Sequence, residues 1–148
     1  MSERKNVTFE EVLERDGRIV YKTKGVSMRP LLRENRDIVV IEKKGEERLS
    51  RFDVALYKRG EQYVLHRVIN VREDGYDIRG DNTFSMEDIP EKNIIGVLRE
   101  IKRNNKTIRM DEKSYNRYVR FWNTIYPLRA VCNKCRMGLR KIKRKILK

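Results

Sequence analysis

The chain has 148 residues, of which 36 are Lys or Arg, 22 are Asp or Glu and 39% are hydrophobic, for a formal net charge of +14; this is the make-up of a folded domain with an appendage and excludes a wholly disordered chain. The excess is uneven, because residues 129–148 hold nine Lys or Arg and no acid, leaving 27 basic against 22 acidic residues, or +5, in residues 1–128. No apolar run approaches the ~18–20 residues that span a bilayer, and MSERKNVTFEEV lacks the features of a secretory signal, so the expectation is a soluble, cytoplasmic chain.

Thr8-Phe9-Glu10-Glu11 has the spacing of a capping box, and Phe9, Val12 and Leu13 supply an apolar stripe, which predicts a short helix over about 8–15 ending at Gly17. From Arg18 the periodicity becomes that of strands: RIVYKTK, DIVVIEKK, DVALYKR, QYVLHRVINV, GYDIRG, NIIGVLREI and KTIRM. Turn residues such as Arg59-Gly60, Asp74-Gly75 and Asn104-Asn105 separate several of these runs. Seven short strands predict a mainly β, mostly antiparallel domain, coiled or closed into a partly open barrel. With the N-terminal helix it occupies residues 1–110.

Residues 111–148 change to a helical pattern after Asp111, a candidate cap. Tyr115, Val119, Trp122 and Ile125 recur at helical spacing, Pro127 interrupts them, and Val131, Cys135, Leu139, Ile142 and Ile146 continue on one face. Such a basic amphipathic tail suits three roles: lying on an anionic membrane, gripping nucleic acid, or docking on the protein's own sheet. The aromatics Tyr115, Tyr118, Phe121, Trp122 and Tyr126 follow the helical period and read as packing rather than as base-stacking platforms. The only cysteines, Cys132 and Cys135, form one CNKC. With no second ligand pair it predicts no metal site, and the two read as half-buried helix residues. No motif implies a cofactor.

The chemistry concentrates in three short boxes. In KGVSMRP, Gly25 and Pro30 bracket Ser27-Met28. A serine nucleophile needs an exposed hydroxyl, a base to take its proton, and N–H groups aimed at the developing oxyanion. Gly25 permits close backbone approach and Pro30 holds the exit extended, so the Ser27 amide can face a substrate carbonyl. Gly25, Met28 and Pro30 are accordingly the candidate substrate-binding residues. The single histidine, His66, sits in VLHRVI, where alternation places Val64, His66 and Val68 on one face and apolar neighbours favour the neutral imidazole. In YDIRGDN, Asp81 follows a glycine at a strand end, where its carboxylate can orient an imidazole, and Asn82 can hydrogen-bond a turn.

GVSMRP, FDVALYK, LHRVI and RGDN, with a later IIGVL, occur in the order and approximate spacing of the type I signal peptidases and their relatives, the self-cleaving phage-type repressors. The chain resembles that superfamily over about residues 18–101. The resemblance implies a serine endopeptidase on a coiled β-sheet of signal-peptidase type. Its histidine before Arg-Val is similar to the endoplasmic-reticulum-type branch rather than to the lysine-dependent members. Carried over, Ser27 is the nucleophile, His66 the general base and then acid, and Asp81 the orienting carboxylate. A further acid after GDN corresponds to Glu87 or Asp88, with Asp88 preferred. The backbone amide of Ser27 contributes to the oxyanion hole. Two positions before the nucleophile, where many signal peptidases have a hydroxyl residue, this chain has Gly25.

The resemblance also has limits. Signal peptidases usually carry a transmembrane tether, and none is visible here. About 17 residues precede the β domain, too few for a helix-turn-helix unit, so a repressor is not the expectation. The expectation is therefore a soluble or peripherally bound processing peptidase acting on a peptide or leader segment. Contact with the inner face of the membrane would be made through residues 129–148. A competing expectation is a non-catalytic β module that engages nucleic acid or anionic lipid through the same tail.

Overall fold

The computed structural model describes residues 7–146 and divides into two units, residues 1–112 and 113–148. The first unit is mainly β. Helix α1, Phe9–Asp16, starts at the expected capping box: the Thr8 hydroxyl accepts from the Glu11 N–H at 3.2 Å, and the Glu11 carboxylate accepts from the Thr8 N–H at 2.9 Å. It ends at Gly17, whose φ of 70° is the left-handed conformation that lets its N–H reach the Leu13 carbonyl at 3.0 Å.

Eight antiparallel strands follow: β1 Arg18–Lys22, β2 Asp37–Lys43, β3 Val54–Arg59, β4 Gln62–Val71, β5 Gly75–Arg79, β6 Glu87–Pro90, β7 Ile94–Arg103 and β8 Lys106–Arg109. They form one open sheet in the order β1-β2-β7-β3-β4-β5-β6, with β8 paired to β7. The mainly β class agrees with the expectation from the sequence. The strand missing from that expectation is β6, whose EDIP is acidic, ends in proline and lies at a sheet edge, where a proline costs no ladder bond.

Tyr57, Val64, Val68, Tyr76, Ile78, Ile89 and Val97 belong to the buried core cluster. Each aliphatic side chain in it contributes about 1.5–3 kcal/mol relative to exposure. The turn ahead of β2 is fixed to the sheet by Asp37, which is 1% exposed and accepts from Arg36, Arg103 and the Arg33 N–H. Burial pushes its carboxyl upward, but the two guanidinium groups outweigh this and bring its pKa down to about 2.

The second unit contains α2 Lys113–Thr124 and α3 Tyr126–Ile146. Pro127 stands in the first turn of α3, where its missing N–H costs no helical bond. Tyr115 and Val119 are buried. Tyr118 and Trp122 stack with centroids 6.2 Å apart, and the Arg129 guanidinium lies 3.7 Å from the Trp122 ring centroid. Cys132 and Cys135 are exposed rather than half-buried, because among the described residues nothing covers their face of α3. Among the described residues no group of three or more His, Cys, Asp or Glu is placed to hold a metal, and no helix is long and apolar enough to cross a membrane.

Candidate active site

The Ser27 box forms a compact turn between β1 and β2. Gly25 adopts φ 85°, the Arg29 N–H donates to the Val26 carbonyl at 3.2 Å, and the Leu32 N–H donates to that of Met28 at 2.9 Å. Pro30 does not hold the extended exit expected from the sequence. It lies inside the turn, because the Met28–Leu32 bond closes the chain around it.

The turn is clasped by the GDN box. The Asn82 N–H donates to the Ser27 carbonyl at 2.8 Å, and the Asn82 amide donates to the Val26 carbonyl at 3.2 Å. Among the described residues no backbone bond uses the Ser27 N–H. The clasp is held in turn by β4. Arg67, wholly buried, grips both oxygens of Asp81 at 2.7 and 2.8 Å and donates to the Phe52 carbonyl at 2.9 Å. Asp81 thus faces Arg67 through both oxygens, whereas the carboxylate within hydrogen-bond distance of the His66 ring is Glu87. Asp81 ties the loop that positions Ser27 to the strand that carries His66.

His66, 5% exposed, projects from the adjacent position of β4 and therefore onto the opposite face. Its Nδ1 lies 3.2 Å from the Tyr57 hydroxyl and 3.1 Å from Glu87 Oε1. Arg59 holds the second Glu87 oxygen at 3.0 Å. Burial, together with the nearby Glu87 charge, keeps the Tyr57 phenol protonated. Burial raises the Glu87 carboxyl, but Tyr57, Arg59 and His66 reverse the shift and leave it below the ordinary value. An ionised carboxylate at Nδ1 assigns the ring proton to that nitrogen and leaves the Nε2 lone pair free to accept. Burial lowers the His66 pKa below 6.5 despite the opposing pull of Glu87, so the ring is neutral at pH 7.

The carboxylate at His66 is therefore Glu87 rather than Asp88. Strand β6 pairs with β5 so that Glu87 and Asp88 project to opposite faces. Asp88 is exposed and pairs with Arg72.

Ser27 and His66 line one cavity of about 320 Å³, together with Gly25, Met28, Thr23 and Glu87. Pro30 is not among the lining residues. No hydrogen bond joins Ser27 and His66 directly among the described residues, but the Ser27 backbone carbonyl and the His66 ring both approach Gly80. A Cβ placed there would lie 2.6 Å from the Ser27 carbonyl oxygen and 3.1 Å from His66 Nε2. Only a residue without a side chain lets the two groups face the same space. Thr23, 7% exposed, contributes a hydroxyl with no hydrogen-bond partner among the described residues. Tyr57, Gly80, Arg67 and Thr23 are the site residues that the sequence boxes did not single out. The available signal was Arg67 beside His66 in a strand buried on both faces, since a buried guanidinium requires a carboxylate.

The arrangement combines a hydroxyl on a clasped turn, a neutral imidazole oriented from behind by a carboxylate and a phenol, and an open volume between them. A neutral imidazole with one ring nitrogen left to accept is chemically able to take a proton from an alcohol placed against it. No protein-family model matches the sequence, and no curated protein matches it significantly.

Proposed function

We propose that this protein is a serine endopeptidase with a Ser27–His66 dyad, that its sheet is of signal-peptidase type, and that Glu87 is the orienting carboxylate. One observation carries the reading: His66 has its Nδ1 engaged by Glu87 and Tyr57, while its Nε2 and the Ser27 turn face the same gap above Gly80. The ordered boxes GVSMRP, LHRVI and RGDN, similar to those of the signal peptidases and repressors, add support from a separate direction.

In the proposed cycle, Ser27 Oγ attacks the carbonyl carbon of the scissile peptide as His66 Nε2 takes its proton. The Ser27 N–H, unused by the backbone bonds of its turn, stabilises the tetrahedral oxyanion. The imidazolium is stabilised by the Glu87 carboxylate and returns the proton to the leaving amine. A water then repeats the sequence on the acyl-serine and releases the acid. Asp81 acts indirectly, through Arg67 and the Asn82 clasp. A peptide or leader segment entering as an extended chain is the substrate class.

The test is labelling of Ser27 by a serine-directed fluorophosphonate, alongside cleavage of a peptide library. Ser27→Ala is expected to abolish both, and His66→Ala to slow both by a factor of about a thousand or more, with circular dichroism unchanged. Equal cleavage by the parent and both variants would overturn the proposal.

A further inference from the structure

Helix α3 presents a feature that the dyad does not use. Its 21 residues, Tyr126–Ile146, contain eight Lys or Arg and no acid. At 100° per residue, Leu128, Val131, Cys132, Cys135, Leu139, Ile142 and Ile146 fall within an arc of about 100°. Lys134 and Lys145 border that arc on one side, Lys143 and Arg136 border it on the other, and Arg129, Arg140, Lys141 and Arg144 occupy the far side. The apolar face is open to solvent along its length: Leu128 and Leu139 are each 67% exposed and Ile146 is 77% exposed. None of the described residues of the helix is buried.

An apolar stripe of this kind requires a cover. Three covers from outside the chain are chemically distinct: a second copy of the helix, a nucleic acid, and a lipid surface. The apolar positions 128, 132, 135, 139, 142 and 146 alternate in steps of four and three, the spacing of a two-helix seam. A second copy, however, would bring eight further positive charges against the first eight with no acid to pair them, so self-association is opposed along the whole length. Phosphates of nucleic acid satisfy the charge but leave the aliphatic stripe uncovered. An anionic bilayer satisfies both at once, with the stripe among the acyl chains and the bordering lysines and arginines extended to the headgroup phosphates.

We propose that α3 is an interfacial anchor that lies in the plane of an anionic lipid bilayer, with Leu128, Leu139, Ile142 and Ile146 inserted and its basic residues on the headgroups. The inference is independent of the dyad: it places the protein on a surface whether or not Ser27 is a nucleophile.

The experiment uses the full chain with vesicles of phosphatidylcholine, with and without phosphatidylglycerol, in a flotation assay at physiological salt. The parent chain is expected to float with the anionic vesicles and to stay in solution with the zwitterionic ones. Leu139→Gln with Ile142→Gln, which preserves charge and helix propensity, is expected to weaken partition about tenfold or more. Arg140→Gln with Lys141→Gln is expected to weaken it by roughly tenfold, an effect that fades at high salt. Cys132 and Cys135 provide a readout that needs no variant. Both lie on the apolar face, so their reaction with a water-soluble maleimide should slow about tenfold when anionic vesicles are added.

The proposal is overturned by unchanged thiol reaction in the presence of vesicles, or by equal flotation of the parent and the Leu139→Gln/Ile142→Gln chain. A lipid-free dimer dispersed by that double change would also overturn it, because the second copy would then be the cover. So would binding to RNA but not to anionic vesicles, with an RNA affinity that the double change leaves intact.

Discussion

His66 and Arg67 are neighbours on β4, and each faces a carboxylate, yet the two pairs are built to different ends. Arg67 and Asp81 form a sealed bidentate pair, with side chains 0% and 2% exposed. The pair staples the GDN loop to the sheet, and a further Arg67 donor is taken up by the Phe52 carbonyl. His66 and Glu87 make a single contact at the edge of a cavity, with Glu87 still 20% exposed and the second ring nitrogen turned toward the Ser27 turn. A sealed pair holds geometry, whereas a pair with one nitrogen left over is poised to exchange a proton. Strand alternation puts the two pairs on opposite faces of one strand, so the residue that fixes the site and the residue that would act in it are separated by a single peptide unit.

That contrast is open to direct tests. Breaking the sealed pair has the largest expected effect. Asp81→Ala strands the Arg67 guanidinium in the interior and should lower the unfolding free energy by about 3–5 kcal/mol, read by urea denaturation. A change confined to the pH profile, with the urea midpoint preserved, would place Asp81 with Glu87 instead. Next comes the gap between the two systems. In Gly80→Ala the new methyl meets the Ser27 carbonyl oxygen, a backbone atom that must move, and peptide cleavage should fall roughly 100-fold while the unfolding midpoint shifts far less. Full activity in that variant would mean that Ser27 and His66 do not cooperate across the gap.

The smallest effect is expected at the open pair. Glu87→Gln removes the anion that stabilises the imidazolium, so cleavage should slow by about tenfold. The sign of the accompanying pH change follows from the charges. Burial already lowers the His66 pKa, and Glu87 opposes that shift, so cleavage by the parent is expected to fall as pH drops through a value below 6.5. Without Glu87 that value drops further and the acid limb moves to lower pH. Asp88→Asn, one residue along and facing Arg72, is the matched control and should leave the profile in place. In stability terms, a depressed His66 pKa leaves folding unaffected above 6.5, where folded and unfolded rings are both neutral. Below 6.5 the unfolded ring takes up a proton that the folded ring refuses, so stability falls with pH until the folded value is passed.

Residues 18–110 were legible as strands because RIVYK, DIVVIEK and VLHRVINV carry the β-branched density of half- or fully buried ladders. EDIP carries none of it; its strand exists because β5 offers a partner edge, a tertiary cause that local composition does not encode. The choice between Asp88 and Glu87 depends on that same strand, since only the register with β5 decides which of two adjacent acids faces inward. Asp81 was legible as important, but its bidentate contact with Arg67 was not, because it joins residues 14 positions apart that only the sheet brings together. The order of the boxes pointed to Ser27 and His66 as a pair. Gly80 and Thr23 became visible only once the cavity had walls.

Tyr63 joins the opening helix to the cleft. Its ring stacks on Phe9 at 4.4 Å, its hydroxyl accepts from the Phe9 N–H and donates to Glu10, and the same residue forms part of the cavity wall beside Ser27 and His66. The helix is therefore a buttress for the rim of the pocket. Trimming the chain ahead of Val12 would take away that support, and its first casualty would be the shape of the cleft rather than the integrity of the sheet.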